Sequence, residues 1–226
     1  MKKDAIKHLT MLFAQRLLGL LLFFMGAGTL MDLRGIVNFS LYFAISIAAC
    51  AVLYKGYRAT LSERGKKREN TKNWDKLLMP ALIVLAYYGI YLVAGLGVRF
   101  HWTRLSMGWM AAGVALYLLS GVFTVWPVMA NKHFEATSRI QDDRGQAVVS
   151  AGPYRIVRHP GYLGLCIWAV AAALIFGTWP VALTAAAIIA VVVARTHLED
   201  AMLCNELDGY AAYAKQVKYR LIPFIW

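Results

Sequence analysis

Cysteine and acidic residues are scarce in this 226-residue chain. The three cysteines, Cys50, Cys166 and Cys204, are widely separated and two lie in apolar runs. Their spacing fits neither a disulfide framework nor a zinc site, so small buried hydrophobic residues are the favoured interpretation. Asp and Glu number 12 against 24 Lys and Arg, which gives a formal net charge of +12.

This positive surplus does not indicate a nucleic-acid-binding protein. The basic residues lie between apolar stretches and do not form a stripe on one polar domain. Lys and Arg accumulate in the cytoplasmic loops of membrane proteins, where they also face anionic lipid headgroups. The most basic connection, residues 55–76, is therefore expected in the cytoplasm.

Apolar residues make up 60% of the chain, and the mean hydropathy is +0.53. This is more apolar surface than one soluble domain of this length can bury, and runs of about 20 residues can cross a bilayer. The predicted spans are about residues 11–31, 36–54, 77–98 and 105–130, followed by a helical hairpin of 161–176 and 181–194. The first run has no convincing cleavage site, so we expect an uncleaved span.

The predicted fold class is all-α: a multi-span integral membrane protein with about five to six spans, including the C-terminal hairpin. The first two spans are expected to form a tight antiparallel hairpin. Gly19, Gly26 and Gly28 in the first span are either close-packing positions or ordinary membrane glycines. Residues 195–217 read as one or two amphipathic helices at the cytoplasmic face, with a break at Gly209. The chain divides into a four-helix transmembrane region, 1–130, and a second region, 131–226.

The distribution of charge also predicts an orientation. With both termini in the cytoplasm, only Arg34, Arg99 and Arg104 among the basic residues lie outside. The positive-inside rule favours this arrangement. In a bacterium the protein would lie in the cytoplasmic (inner) membrane.

The segment 152–164 places two arginines, a histidine, two prolines and two tyrosines directly before an apolar run. Pro153 and Pro160 fix their own φ and push the residues before them toward extended conformations. Polar groups on irregular backbone at a bilayer edge are tolerated where they are buried in protein or line a cavity. The segment therefore predicts a pocket.

Arg195 and Glu199 are four residues apart, on one helix face directly after the last apolar run. An ion pair that anchors a helix end is one interpretation. A functional role is the other, because the two ends of a hairpin lie close together. Arg158, His159 and Tyr162 begin the hairpin that Arg195 and Glu199 end.

Several motifs together carry a family resemblance. They are Gly152-Pro153-Tyr154, Arg158-His159-Pro160-Gly161-Tyr162, Arg195-x3-Glu199-Asp200-x2-Leu203, Gly209-Tyr210-x2-Tyr213 and Val217-x3-Leu221-Ile222-Pro223. In their order and spacing the chain resembles the isoprenylcysteine carboxyl methyltransferase family, whose wider group includes phospholipid N-methyltransferases. The resemblance covers about residues 139–226, and the first 130 residues match only as a pattern of spans.

The resemblance implies an S-adenosylmethionine-dependent enzyme whose lipophilic substrate enters from the bilayer. Residues 131–226 would then be the cofactor-binding catalytic region, with the cofactor pocket facing the cytoplasm. The implied cofactor contacts are Gln146, Ala147, Val148, Val149, Tyr154, His159, Pro160, Gly161, Tyr162 and Glu199. Arg195 would face the substrate and form the catalytic pair with Glu199. Relatives carry a run of glutamates after this arginine, whereas this chain has Thr196-His197-Leu198 before Glu199.

The chemistry of the cofactor agrees with these residue types. S-adenosylmethionine carries a sulfonium, a carboxylate and an ammonium, so its pocket needs both signs of charge and an aromatic bed. Arg158, His159, Glu199 and the tyrosines supply them, which adds Arg158 to the predicted contacts. An ionised carboxylate acceptor needs mainly positioning, and Arg195 would hold it. An amine or thiol must first lose a proton, with His197 or Glu199 as candidate base.

The acceptor and two other functions stay open. The acceptor is a prenylated cysteine carboxylate, a phospholipid amine, or a small thiol or lipid. Sterol reductases, which use NADPH, carry a similar Arg-His-Pro-x-Tyr element, but the Gly-Pro-Tyr lead-in and the Arg195-x3-Glu199 spacing favour the methyltransferase. A transporter or structural protein is the third alternative. His159, His197, Glu199 and Asp200 form no recognisable ligand motif, so no metal is predicted.

Overall fold

A computed structural model describes residues 2–64 and 70–226, and only the backbone of Lys2, Lys3, Asp4, Arg58 and Ala59. The described residues form nine α-helices: α1 Lys2–Ala27, α2 Leu33–Gly56, α3 Arg58–Arg64, α4 Asp75–Ile83, α5 Ile90–Arg99, α6 Met107–Ala130, α7 Pro160–Phe176, α8 Trp179–Glu206 and α9 Tyr210–Gln216. A π-helical turn, Val84–Gly89, joins α4 to α5. The connection between α6 and α7 contains two short 3-10 turns, Asp142–Arg144 and Gly152–Arg155.

Five helical segments are long and apolar enough to span a membrane. They are Ala5–Ala27, Leu33–Gly56, Asp75–Arg99, Met107–Ala130 and Trp179–Glu206, and the shorter apolar helix Pro160–Phe176 lies beside them. The predicted all-α, multi-span membrane fold with five to six spans is therefore confirmed. The short helix α3 lies within the basic connection 55–76. Residues 65–69 of this connection lie outside the described part of the chain.

The first span packs mainly along α5 instead of forming the predicted tight hairpin with α2. Glycine makes this close approach possible. A Cβ atom at Gly26 would lie 2.8 Å from the Leu92 carbonyl oxygen, and one at Gly19 would lie 2.9 Å from that of Tyr87. Gly19 and Gly26 are thus two of the three predicted close-packing positions, because small residues let membrane helices approach. At Gly28 an added Cβ would meet only Arg99 Nη2, at 3.5 Å.

The last span is longer than predicted. The hairpin arm was expected to end at residue 194, with a separate amphipathic helix after it, but α8 runs unbroken to Glu206. No glycine or proline interrupts residues 195–206, and protein groups pair the Arg195 and Asp200 side chains, so the helix continues past the apolar run. The break at Gly209 is confirmed: this residue has φ +80° and precedes α9.

The ends of the spans opposite the site are tied together by two arginines. Arg34 donates to the carbonyl oxygens of Ile175 (2.9 Å) and Leu105, and Arg104 forms a 2.6 Å salt bridge with Asp32. The helices α7 and α8 run antiparallel beside each other, and α6 packs along α7. This arrangement brings the start of α7 next to the last turns of α8.

Candidate active site

A polar cavity of about 800 Å³ lies where the connection 131–159, the start of α7, the end of α8 and α9 meet. All eleven residues predicted to contact the cofactor line it: Gln146, Ala147, Val148, Val149, Tyr154, Arg158, His159, Pro160, Gly161, Tyr162 and Glu199. The wall also contains residues that the sequence did not single out, among them Asn131, His133, Phe134, Thr137 and Leu207. The structure thus brings the predicted contacts together around one space.

Glu199 is held at the wall by two hydroxyl donors. Its Oε2 accepts hydrogen bonds from Ser138 Oγ (3.0 Å) and from the Tyr162 hydroxyl. The Tyr162 ring stacks on the His159 ring, with centroids 5.7 Å apart and planes 8° apart. The start of α7 and the end of α8 are thereby linked through the carboxylate.

Asp200, the next residue, lies at the centre of a buried network and is 1% exposed. Arg158 donates from Nε and Nη2 to its two carboxylate oxygens, each at 2.7 Å. Arg220 donates from Nε at 2.7 Å, the Tyr210 hydroxyl donates at 3.1 Å, and His159 Nε2 lies 3.2 Å away. Such paired, charge-assisted bonds offset the cost of burying the carboxylate.

The C-terminal tail completes this network through its backbone. The amides of Arg158 and His159 donate to the carbonyl oxygens of Tyr219 and Arg220, both at 2.9 Å. Arg158 Nη1 also donates to the carbonyl oxygens of Val217 and Lys218. Burial lowers the pKa of Arg158, but its hydrogen bonds to Asp200 outweigh this effect and raise it above the ordinary value. Its guanidinium therefore binds both Asp200 and the C-terminal tail at the cavity wall.

Arg195 is paired with a residue that the sequence did not suggest. Its Nε donates to Asp75 Oδ1 at 2.8 Å, and the two side chains are 2% and 0% exposed. Arg195 Nη2 donates to the Ala136 carbonyl oxygen, and Asp75 Oδ2 accepts from the Ser138 amide. Within the described residues, the ion-pair partner of Arg195 is thus Asp75 and not Glu199. An acidic residue in the first turn of a helix such as α4 is common, so the sequence did not indicate that Asp75 pairs with Arg195.

A second cavity of about 1130 Å³ lies among the spans and has a mostly apolar wall, with Met79, Leu82, Ile83, Ala86, Leu165 and Trp168 among its lining residues. Arg195 lines this cavity and not the polar one. Phe134, Glu135, Gly161 and Tyr162 line both, so the two spaces share one wall. The Arg195 guanidinium lies 5.3 Å from the centroid of the Tyr162 ring at this wall.

His133 presents unpaired polar atoms at the polar cavity. It is 5% exposed, and neither ring nitrogen has a hydrogen-bond partner within residues 2–64 and 70–226. Burial lowers the pKa of its imidazole, and the charges of Arg144 and Lys132 lower it further. The ring is therefore neutral at pH 7 and has one donor and one acceptor for a ligand.

Neighbouring tyrosines keep their protons. Burial raises the pKa of Tyr213 to about 12 and that of Tyr154 well above its ordinary value. The Tyr213 hydroxyl donates to the Tyr154 carbonyl oxygen at 2.7 Å.

His197, a candidate base from the sequence, is exposed and lines neither the polar nor the apolar cavity. Among the described residues, no cluster of three or more His, Cys, Asp or Glu suits a metal ion.

Comparison with known proteins gives one family. Residues 113–205 match the isoprenylcysteine carboxyl methyltransferase (ICMT) family. The matched stretch begins within α6 and ends at the last turn of α8. It contains Arg195 and all eleven predicted cofactor contacts, but not Asp75 or α9. No curated protein sequence matches the chain.

Proposed function

We propose that this chain, a membrane methyltransferase of the ICMT family over residues 113–205, uses S-adenosylmethionine to methylate a lipophilic acceptor drawn from the bilayer. One observation carries the proposal: a polar cavity and an apolar cavity share the wall formed by Phe134, Glu135, Gly161 and Tyr162. Methyl transfer from a polar donor to a lipophilic acceptor needs two such cavities next to each other.

The residues of the polar cavity suit this donor. The cavity places charged, aromatic and apolar side chains around one space, among them Arg158, Glu199 and Tyr154. The Glu199 carboxylate accepts hydrogen bonds only, as an ammonium or a ribose hydroxyl requires. His133 offers two ring nitrogens that have no partner among the described residues, and Val148 and Leu203 supply apolar contacts for a base. When bound, S-adenosylmethionine supplies a methyl group made electrophilic by its sulfonium.

The protein's task is then to position the acceptor. The apolar cavity holds a hydrocarbon body, and its low polarity excludes water. Asp75 and the Ala136 carbonyl hold the Arg195 guanidinium beside Tyr162, where it orients a polar acceptor group. Positioning of this kind accounts for much of the rate enhancement in a displacement that needs no proton transfer.

The preferred acceptor is a carboxylate like that of an isoprenylated cysteine, or a related small lipid. Arg195 lines the acceptor cavity and suits such a carboxylate. Phospholipid N-methylation is the alternative within the same chemistry, and it would need a base. We further propose that the polar cavity and both termini face the cytoplasm, in the inner membrane if the protein is bacterial.

Binding measurements on the full chain in lipid nanodiscs test the donor. Calorimetric titration with S-adenosylhomocysteine should give saturable binding with one site per chain, whereas NADPH should give none. Binding of NADPH without S-adenosylhomocysteine would instead identify a reductase of the sterol reductase type. The acceptor then follows from lipid extracts of cells with and without the protein, compared by mass spectrometry for species heavier by one methylene group.

A further inference from the structure

Arg16 is a charged residue in the middle of a membrane span. It lies midway between Ala5 and Ala27 on α1, outside the region that matches the family. Its side chain lines the apolar cavity. Ionisable residues at this depth are costly and by default indicate a functional site.

The surroundings of Arg16 leave its charge without a carboxylate. Its guanidinium carbon lies 4.1 Å from the centroid of the Tyr42 ring. Within the described residues Arg16 forms no salt bridge, whereas Arg195 in the same cavity is paired with Asp75. The buried Nε of Arg16 and the buried hydroxyls of Tyr42 and Tyr91 lack hydrogen-bond partners in this part of the chain.

The contact with Tyr42 offsets only part of the cost of burial. A cation over an aromatic ring contributes ~0.5–2 kcal/mol, whereas removing an ion from water costs several kcal/mol even after relaxation. A bound anion would compensate for the remainder. The planar guanidinium also matches the two oxygens of a carboxylate or a phosphate, which favours an anionic ligand over a neutral one.

We propose that Arg16 and Tyr42 form an anion-binding subsite in the apolar cavity, so that the acceptor carries an anionic oxygen group separate from the atom that is methylated. This inference rests on the proposed function for the place of the acceptor. The methyl group must arrive at the wall shared with the polar cavity, beside Tyr162. Arg16 and Tyr42 line only the apolar cavity, so an acceptor that fills it presents a different group to each site.

Two kinds of acceptor are thereby distinguished. An acceptor with a hydrocarbon tail and only one polar end leaves the buried charge of Arg16 without a counter-ion when that end lies at Tyr162. An amphiphile with a second, anionic group satisfies both sites. The subsite therefore selects for a lipid or small amphiphile that is anionic away from its reacting end.

Native mass spectrometry of the full chain released from detergent micelles can test the subsite. The probes are dodecyl phosphate, dodecanoate and dodecanol, which share one tail and differ in charge. We expect Arg16→Gln to weaken both anionic probes by about tenfold or more, the size of one hydrogen bond to a charged group. Dodecanol binding should change much less than that of the anionic probes, because its neutral hydroxyl forms no ion pair with Arg16.

Two matched variants support the comparison. Arg99→Gln removes the same charge from an exposed residue outside the cavity, whose guanidinium donates to the Met25 carbonyl oxygen, and should leave all probes unchanged. Arg16→Lys keeps the charge without the planar fork, so it should retain anion preference at a reduced level. If Arg16→Gln does not fold, the wild type and Arg16→Lys still decide the question. No preference of either protein for dodecyl phosphate over dodecanol would overturn the subsite.

Each outcome separates the subsite from the proposed function. Equal anion binding by the wild type and Arg16→Gln would overturn the subsite, as would an equal loss of all three probes in a folded variant. S-adenosylhomocysteine is titrated against the same samples. If the wild type does not bind it, the proposed function fails; if it binds while Arg16→Gln keeps the anion preference of the wild type, only the subsite fails.

Discussion

At the scale of single residues, Glu199 lines the polar cavity and accepts hydrogen bonds from two hydroxyl groups. Glu199→Gln keeps the shape of the side chain but removes the charge that Ser138 and Tyr162 support. We expect binding of S-adenosylhomocysteine to weaken by about tenfold to a hundredfold, since a hydrogen bond to a charged group contributes ~1.5–3 kcal/mol. Isothermal titration measures this change.

The matched control for this change is Glu206→Gln, on the same helix. Glu206 is exposed and forms a 2.7 Å salt bridge with Lys72 at the surface. Binding in this control should equal that of the wild type. Unchanged affinity in Glu199→Gln would contradict a role for this carboxylate in donor binding.

The buried pair of Arg195 and Asp75 predicts a different pattern. Arg195→Gln leaves the Asp75 carboxylate buried without its cation, so it should destabilise the protein by ~3–5 kcal/mol. The double change Asp75→Asn with Arg195→Gln removes both charges and should recover much of the stability. Unfolding in mixed detergent measures all four corners of this cycle.

The same double variant separates stability from catalysis. It should bind S-adenosylhomocysteine as the wild type does, because Arg195 does not line the polar cavity. Methyl transfer to the acceptor should be lost, since no cation then orients the acceptor. Full turnover by the folded double variant would mean that Arg195 serves packing alone.

His133 predicts a dependence of stability on pH. Its pKa in the folded protein lies below the ordinary value of 6.5, chiefly because it is buried. Between the folded pKa and about 6.5 the unfolded chain binds more protons than the folded chain, so stability falls as the pH falls through this window. His133→Asn should flatten the pH dependence of the unfolding midpoint between about pH 7.5 and about pH 5.5. An identical pH dependence in the variant would contradict this assignment.

At the scale of helices and segments, the C-terminal tail holds the Arg158-His159 motif. Arg220→Ala removes one of the two arginines on Asp200 and weakens the tail that accepts the amides of residues 158 and 159. We expect faster hydrogen exchange of these two amides and weaker binding of S-adenosylhomocysteine. Lys218→Ala is the control, because this exposed residue contributes only its carbonyl oxygen to Arg158. Equal exchange in both variants would mean that the tail does not brace the motif.

Local sequence predicted the elements that carry the polar cavity. The prolines at 153 and 160 and the glycine at 177 mark where the helices begin and end, and a hairpin necessarily brings its two ends together. The continuation of α8 to Glu206 was missed, because the change from apolar to mixed residues at Arg195 resembles the end of a span. Polarity marks the membrane edge, whereas backbone hydrogen bonding determines the helix end.

At the scale of the whole molecule, the path of the helices predicts the positions of both termini. If the shorter apolar helix Pro160–Phe176 crosses the membrane together with the five longer segments, both termini lie on one side. In a background without native cysteines, Lys215→Cys should resist a membrane-impermeant maleimide in intact cells and react after lysis. Met31→Cys, at a highly exposed position in the first short turn, should react in intact cells. The reverse pattern would invert the proposed orientation.

The contribution of the first 130 residues could not be predicted at this scale. Asp75, Arg16 and Tyr42 reach the two sites from helices far along the sequence, and only the packing of the spans brings them there. In the sequence Asp75 and Tyr42 look like ordinary residues at a helix end and within a span. Arg16 is a charge inside the first predicted span, which is a signal of function, but the sequence does not show which residues surround it. The motifs after residue 139 are different, because their members are neighbours along the chain as well as in space.

One helix, α8, carries three functions within six residues. Arg195 faces the acceptor cavity, Glu199 the donor cavity and Asp200 the network that holds the tail. Since each residue turns an α-helix by about 100°, an insertion or deletion of one residue between positions 195 and 200 would redirect Glu199 and Asp200 away from their partners. The register of this helix, more than any one side chain, therefore limits insertions and deletions in it during evolution or design.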